Sequence, residues 1–244
     1  LEETGCVGGN TGWQVAHLLL QDHKKIVGAM PLYLKQHSYG EFVFDWSWAQ
    51  AYEQQGMQYF PKALCAIPFT PVQGSRILCV PEANATEVSQ KIISGLKTLV
   101  LQNNLSSAHV LFPYGAEAQE LKEQGFMLRD SVQFHWHNQD FLNFEHFLAA
   151  LTMKRRKNIR REREQIAKEQ ISFRHISGLD STDQDWEFFY NCYANTYLEH
   201  QSSPYLSKAF FKLCAQRMPE NLHLIIAQRN QVPIAASLLV VDQA

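Results

Sequence analysis

The sequence predicts an α/β (α+β) protein, a mixed central sheet flanked by helices, in two related domains of which the second is incomplete. Three observations carry this. HLLLQDHKKIVGAMPLYL, from His17 to Leu34, sets two apolar runs around a polar knot, and HLIIAQRNQVPIAASLLV, from His223 to Val240, does so again. Between them, apolar positions at helical spacing alternate with short strand-like runs. A glycine turn follows a strand and precedes a helix soon after the first copy.

Each copy reads as a β-hairpin, with Leu18 to Leu20 and Ile26 to Leu34 in the first and Leu224 to Ile226 and Val232 to Val241 in the second. Aligned without a gap they are offset by 206, which sets His17 on His223, Ala29 on Ala235 and Leu32 on Leu238. Apolar hairpins share this appearance widely, so their surroundings have to weigh in. After the first copy the reading gives a strand within Ala66 to Val72, a turn at Gly74, Ser75 and Arg76, and a helix from Thr86 to Gln102. Val88, Ile92, Ile93, Leu96, Leu99 and Val100 supply the helical stripe and Thr86 the N-cap. A strand at Ala108 to Phe112, a helix at Glu117 to Gln124 and an alternating strand at Ser131 to His137 complete a first domain over residues 1–140. Residues 141–244 hold a helix from Phe144 to about Gln170, a strand at Ile171 to Ile176, helices near Trp186 to His200 and Ser207 to Arg217, and the second hairpin. Only Leu1 to Ala16 precede the first hairpin, and the sequence stops at Ala244 shortly after the last strand of the second. If domains repeat as units, the expectation is a piece of a longer product, lacking an N-terminal helical portion and the C-terminal half of the second domain.

A formal net charge of -2 and a pI near 6.6 give no global attraction to DNA or to an acidic bilayer, so anion binding has to be local. Five scattered cysteines without a CxxC pair argue for free thiols, against a zinc site, and for a cytoplasmic setting. No apolar run approaches the roughly 20 residues of a membrane span, which leaves at most peripheral membrane contact. There is no P-loop, no G-x-S-x-G elbow, no H-E-x-x-H and no dinucleotide fingerprint.

The hairpin, strand, glycine turn and helix in that order resemble the core of the GNAT acyltransferase fold. There the turn and the helix N-terminus hold the pyrophosphate of coenzyme A through free backbone N–H groups. That resemblance implies cofactor contacts from Gln73, Gly74, Ser75 and Arg76, although VQGSR stands in place of the familiar [QR]-x-x-G-x-[GA] loop. With LEETGCVGGNTGWQVAHLLL, PLYLKQHSYGEFVFDWSWAQAY, PFTPVQGSR and KRRKNIRRERE, most of the chain resembles the bacterial FemAB-like family of peptidoglycan biosynthesis or recognition proteins. The resemblance implies an acyl- or aminoacyl-transferase acting on an amine acceptor, a small-molecule or lipid-linked precursor. No cofactor is expected to be tightly bound, and acyl-CoA or aminoacyl-tRNA serves as co-substrate. The alternative is a GNAT-shaped module that binds a cell-wall precursor or peptide and catalyses nothing.

KQHSYGEFVFDWSWAQAY is the stretch least like core packing. Asp45, between Phe44 and Trp46, reads either as a carboxylate raised in pKa by aromatic surroundings and able to take a proton from an amine, or as a helix cap. His37 is the second candidate base, with Tyr52 beside the acceptor. Ser38, Tyr39, Glu41, Trp46, Trp48, Tyr59 and Lys62 are the candidate substrate contacts. Lys62 reads as a phosphate or carboxylate partner or, more blandly, as a solvated lysine. In the Lys154 to Lys168 helix, Arg156, Arg160 and Arg163 share one side and offer an anion or tRNA contact, while interleaved glutamates suggest a solvated face. His135 and His137 alternate as two metal ligands would, with no third, so no metal is expected.

Overall fold

The computed structural model describes residues 1–43 and 45–242; Phe44, expected beside Asp45, and Ala244 lie outside the described residues. The chain divides into two compact units, Leu1–Asp130 and Ser131–Ala244. Both are mixed assemblies of sheet and helix.

In the first unit, β1 (Trp13–Val15) is followed by the hairpin β2 (Leu18–Asp22) and β3 (Lys25–Met30), then β4 (Tyr33–Lys35), α1 (Trp46–Gln54), β5 (Lys62–Cys65) and β6 (Leu78–Cys79). Next come α2 (Ala85–Gln102), β7 (Ala108–Val110) and α3 (Gly115–Glu123). One sheet runs β1-β4-β5-β7, antiparallel except for the parallel β5–β7 pair; a second, β2-β3-β6, is antiparallel throughout. Because strand side chains alternate, the four-stranded sheet has two different faces. Ala63 and Cys65 point with Leu34, Ala108 and Val110 towards Val88, Ile92 and Leu96 of α2. Leu96 is fully buried, and such a side chain contributes about 2 kcal/mol. The helix sits close: a Cβ on Gly28 of β3 would lie 2.4 Å from Val88 Cγ1. Trp13, Tyr33 and Leu64 lie on the other face, and that face carries the site.

The structure revises several expected elements. Helix α2 is capped by Asn84, whose side chain accepts from the Glu87 N–H at 3.3 Å, and Thr86 lies inside the helix. The expected strand at Ala66 to Val72 is irregular, since Pro68 and Pro71 have no N–H to pair and Phe69 takes a φ of +60°. The short β6 intervenes between the glycine turn and α2. Ser131 to His137 is not a strand; its alternation is present, but Val132 and Phe134 are 82% and 95% exposed and no neighbouring strand pairs with it among the described residues.

The second unit contains α4 (Phe144–Ala150), α5 (Met153–Lys168), β8 (Ile171–Ser177), α6 (Asp183–Glu199), α7 (Lys208–Arg217), β9 (Leu222–Arg229) and β10 (Val232–Val240). One long helix was expected from Phe144; instead Leu151 is extended at ψ 158° and Thr152 caps a new helix by accepting from the Arg155 N–H. The antiparallel sheet runs β10-β9-β8, and Leu222, Leu224 and Ile226 pack against Trp186, Phe189 and Phe211.

Both hairpins turn through two residues of positive φ, His23 and Lys24 in one and Asn230 and Gln231 in the other, the signature of a tight two-residue connection. Each also skips one residue on its second strand, Val27 and Ile234 respectively. Turn and bulge therefore repeat at an offset of 207 (230 − 23 and 234 − 27), not the 206 of the gapless alignment. His17 and His223 are not equivalent in register.

Candidate functional site

The polar face of the four-stranded sheet is built by register. Trp13 of β1 pairs with Lys35 of β4, and Lys35 with Lys62 of β5, so an aromatic ring and two lysines form one row across three strands; Tyr33, Leu64 and His109 form the next. Both lysines are fully buried, as is Trp13 apart from 1%. The segment between β4 and α1 brings the compensating groups over this row. Lys62 Nζ donates to Glu41 Oε2 at 2.8 Å and to Asp45 Oδ2, while the Tyr59 hydroxyl donates to the same Asp45 oxygen at 2.6 Å. Lys35 Nζ lies 3.6 Å from the centre of the Trp13 ring and donates to the Tyr39 carbonyl at 3.1 Å. Glu41 stands between Gly40 (φ +79°) and Phe42 (φ +57°). A bulky residue held in that region costs roughly 1–2 kcal/mol, so backbone strain accompanies the aiming of Glu41 inward.

Burial and mutual charge set the protonation states. Burial pushes the Asp45 carboxyl up, but the bonds from Lys62, Ser38 and Tyr59 outweigh it and hold its pKa below the ordinary carboxylate value. Glu41 moves the other way, raised by burial more than Lys62 can lower it. Lys35 is brought down to about 7, by burial first and by the neighbouring Lys62 charge against the help of Glu41. His109, brought down to about 4 by burial and by Lys62, stays neutral near pH 7; its Nε2 lies 2.8 Å from Ser107 Oγ and 3.5 Å from the Tyr59 hydroxyl. Ser38 is bonded to the Asp45 carboxylate, while the buried Glu41 Oε1 has no hydrogen-bond partner among the described residues.

Tyr59 also lines an open groove of about 490 Å³ with Trp46, Ala49, Gln50, Glu53, Met57, Gln58 and Phe60. Residues 46, 49, 50 and 53 are one face of α1 by their spacing, and no residue of α1 is buried. The groove thus reaches, through a single tyrosine, the charged cluster behind it.

The FemAB-like family, described as peptidoglycan biosynthesis/recognition, matches residues 1–244. The chain belongs to the FemAB-like family. A crystal structure of FemX is similar at 14% identity and a TM-score of 0.38, covering 89% of this chain and 49% of that one. This chain therefore spans about half the length of that structure. No curated protein matches it.

Of the residues picked out from the sequence of this FemAB-like chain, Ser38, Glu41, Asp45, Tyr59 and Lys62 converge. Asp45 does stand at the N-cap of α1, but its side chain makes no capping bond, and its pKa moves opposite to the expected rise. Lys62 is not solvated; it is enclosed between two of the chain's own carboxylates. His37 is half-buried with both ring nitrogens engaged, Nδ1 accepting from the Tyr39 N–H at 3.3 Å and Nε2 3.0 Å from the Thr11 carbonyl, and burial lowers its pKa. Tyr52 packs edge-on against Tyr59 at 5.1 Å, and Tyr39 against Trp46 at 5.1 Å; Trp48 is exposed.

The glycine turn is not brought to the cluster as an open anion seat. Arg76 is fully buried and donates to the Leu111, Val72 and Ser75 carbonyls. The Glu117 carboxylate accepts the Arg76 N–H at 3.0 Å and the Ile77 N–H at 2.7 Å, in the position expected for a phosphate. Gln73 and Ser75 are exposed, and a Cβ on Gly74 would lie 2.9 Å from Arg76 Nη1. In the second unit, Arg160 pairs with Glu145 at 2.6 Å and Arg163 lies 4.4 Å over the Phe144 ring, so two of the three arginines hold α5 to α4, with Arg156 half-buried beside them. His135 and His137 are exposed and stacked, and no group of metal-binding residues forms among the described residues. No helix among the described residues is long and apolar enough to cross a membrane.

Lys35, His109 and Glu117 were missed. Lys35 and Lys62 each border an apolar strand, where a lysine ordinarily turns to water; only the pairing register shows them side by side. His109 sits inside the apolar run AHVLF, where its spacing offers no distinction from core.

Proposed function

We propose that this chain carries the acceptor side of an acyl- or aminoacyl-transferase of peptidoglycan precursor metabolism, acting on an amine. The observation that carries the reading is the buried Lys62–Asp45–Tyr59 chain joined to an aromatic groove, in a FemAB-like protein. In this reading the groove holds the acceptor against Tyr59 and Trp46, with Trp48, Tyr39 and Tyr52 bordering it and His37 fixing the segment that covers the lysines. The fixed charges orient the amine and stabilise the charge that develops on acyl transfer. The donor is acyl-CoA or aminoacyl-tRNA, and the exposed Lys154, Arg155, Lys157 and Arg161 of α5 favour a polyanionic donor or a lipid-linked pyrophosphate. None of the five cysteines is joined in a disulfide, in keeping with the cytoplasm. The likeness of the two hairpins in turn and bulge supports two GNAT-like domains, 1–140 and 141–244.

One observation favours a binding module instead: at the glycine turn the Arg76 and Ile77 N–H groups are taken by Glu117 and the Gly74 N–H by the Phe112 carbonyl, which leaves these three closed to a donor phosphate. Labelled acyl-CoA and aminoacyl-tRNA, each incubated with the protein and lipid-linked precursor, separate the two. Transfer that falls at least tenfold in Tyr59→Phe supports the enzyme. Precursor binding without transfer from either donor refutes it in favour of the module.

A further inference from the structure

Two histidines meet on one face of the second unit's sheet. Side chains alternate along a strand, so the register sorts them. Ile176 of β8 and Leu222, Leu224 and Ile226 of β9 pack towards the helices, and His175 and His223 therefore point the other way, His175 exposed and His223 half-buried. His175 is opposite Ile225 and His223 opposite Ser177, which makes the two histidines diagonal neighbours on adjacent strands. His175 Nδ1 lies 3.2 Å from His223 Nε2, with the ring centres 5.5 Å apart and the planes tilted by 39°. Among the described residues each ring has only the other as hydrogen-bond partner. No cation competes for the place. Arg174 lies on the helix side and pairs with Asp185 at 3.2 Å, Arg229 is held by Glu169, and the register partners around the pair, Ser177, Ile225 and Leu239, carry no charge.

A neutral imidazole has one N–H and one lone pair, and its partners decide which nitrogen holds which. With the protons on His175 Nε2 and His223 Nδ1, two lone pairs face each other across 3.2 Å, and a small rotation of each ring about χ2 sets both on one ion. Bonds of about 2.0–2.1 Å from each nitrogen then enclose about 100°, between the square-planar and tetrahedral angles. Pairing of β8 with β9 fixes both backbones, so the approach is made before any ion arrives. The pair picked out by spacing, His135 and His137, differs: its rings stack nearly parallel at 6.2 Å, which aims the lone pairs side by side and not at one point. Among the described residues no three metal-binding side chains gather, so two nitrogens are the protein's whole share and water fills the other positions.

We propose that His175 and His223 form a binding site for one divalent transition-metal ion of the class of Zn²⁺, Ni²⁺ and Cu²⁺. Imidazole nitrogen selects these ions over the oxygen-seeking Mg²⁺ and Ca²⁺. The bound ion ties the edge strand β8 to β9 and so stabilises the second unit. Nothing in this assignment rests on the transferase reading, which concerns the first unit's cluster and groove.

The probe is zinc chloride, added to the full chain labelled with ¹⁵N in its histidine rings and followed by NMR, which reports each ring nitrogen separately. The expected result is a saturable change that places zinc on His175 Nδ1 and His223 Nε2 and leaves the protons on the other two nitrogens. By calorimetry, His175→Asn and His223→Asn each weaken zinc binding at least tenfold, while His135→Asn with His137→Asn leaves it unchanged. Zinc raises the thermal midpoint of the wild type and not of His175→Asn or His223→Asn, and magnesium chloride does neither. Undiminished zinc binding in those two variants overturns the proposal, as does an equal response to magnesium. Zinc on other ring nitrogens with no change at these two overturns it as well. That last readout is made on the wild type, so it decides even where a variant fails to fold.

Discussion

Lys62→Met is the sharpest single perturbation of the first unit. The methionine fills much of the lysine stem's volume, so packing is nearly kept while the charge is removed. What remains is two carboxyl groups, 4% and 2% exposed, that share no other cation within ion-pair distance among the described residues. Removing one partner of a buried pair costs about 3–5 kcal/mol because the other charge is left uncompensated. Spread over a unit the size of Leu1–Asp130, each kcal/mol moves the unfolding midpoint by about 3–5 °C, so Tm is expected to fall by about 10–20 °C. Part of the loss returns when the carboxylates go too: Lys62→Met with Glu41→Gln and Asp45→Asn is expected to be more stable than Lys62→Met alone. Thermal and urea unfolding followed by circular dichroism measure both. Lys91→Met, which removes the exposed i,i+4 partner of Glu87, serves as the control and leaves the midpoint in place. A Lys62→Met loss below about 1 kcal/mol, or a triple variant no better than the single, would refute the picture of a dry, mutually compensated cluster.

Three further outcomes are expected. Because His109 has a folded pKa of about 4 against an ordinary 6.5, the unfolded chain binds the extra proton first, so stability falls as pH drops from about 6.5 to 4 and is flat below; urea midpoints of His109→Asn lose that slope. Two and a half units correspond to about 3 kcal/mol at most, and a variant retaining the full slope would contradict the assignment. Glu117→Ala strands the Arg76 and Ile77 N–H groups at a cost of about 1–3 kcal/mol, and phosphate restores its Tm more than it raises that of the wild type; no extra response to phosphate would show that those N–H groups are not an anion seat. Gly28→Ala forces its new methyl onto Val88 and destabilises by about 1–3 kcal/mol, while Val88→Ala in the same chain relieves part of that loss; additive losses in the denaturation midpoints would count against the contact.

The sequence made the helices and the first unit's apolar face legible because both rest on local period. Val88, Ile92, Ile93 and Leu96 announce α2, and all four are buried. The gathering of Ser38, Glu41 and Asp45 was legible as an unusual stretch, but the sign of their electrostatics was not. An aspartate between aromatic neighbours suggests a raised pKa only while its partners are unknown, and Lys62, seventeen residues on, reverses it. The strand expected at Ser131 to His137 failed for the complementary reason, since alternation makes a strand only when another strand pairs with it. Arg76 failed because a glycine turn says nothing of what already occupies its N–H groups; Glu117 lies 41 residues away.

The two hairpins show how local pattern and backbone geometry can part company. The turn and the bulge correspond at an offset of 207, whereas the buried face corresponds at 206: Leu18 and Leu20 pack inward in the first unit, and Leu224 and Ile226 do so in the second. A difference of one residue moves every side chain to the opposite side of a strand. The same folded ribbon therefore buries one face in the first unit and the other face in the second. An alignment of apolar letters follows the buried side, and so matches His17 with His223 and Leu18 with Leu224, while the hydrogen-bond ladder matches Leu18 with Ile225. Deleting Gln231 would bring the two offsets together in the second strand only by destroying the two-residue turn that both hairpins share. The repeat is thus a repeat of turn geometry set on opposite faces, and residues of the first hairpin cannot be carried onto the second by apolar pattern alone.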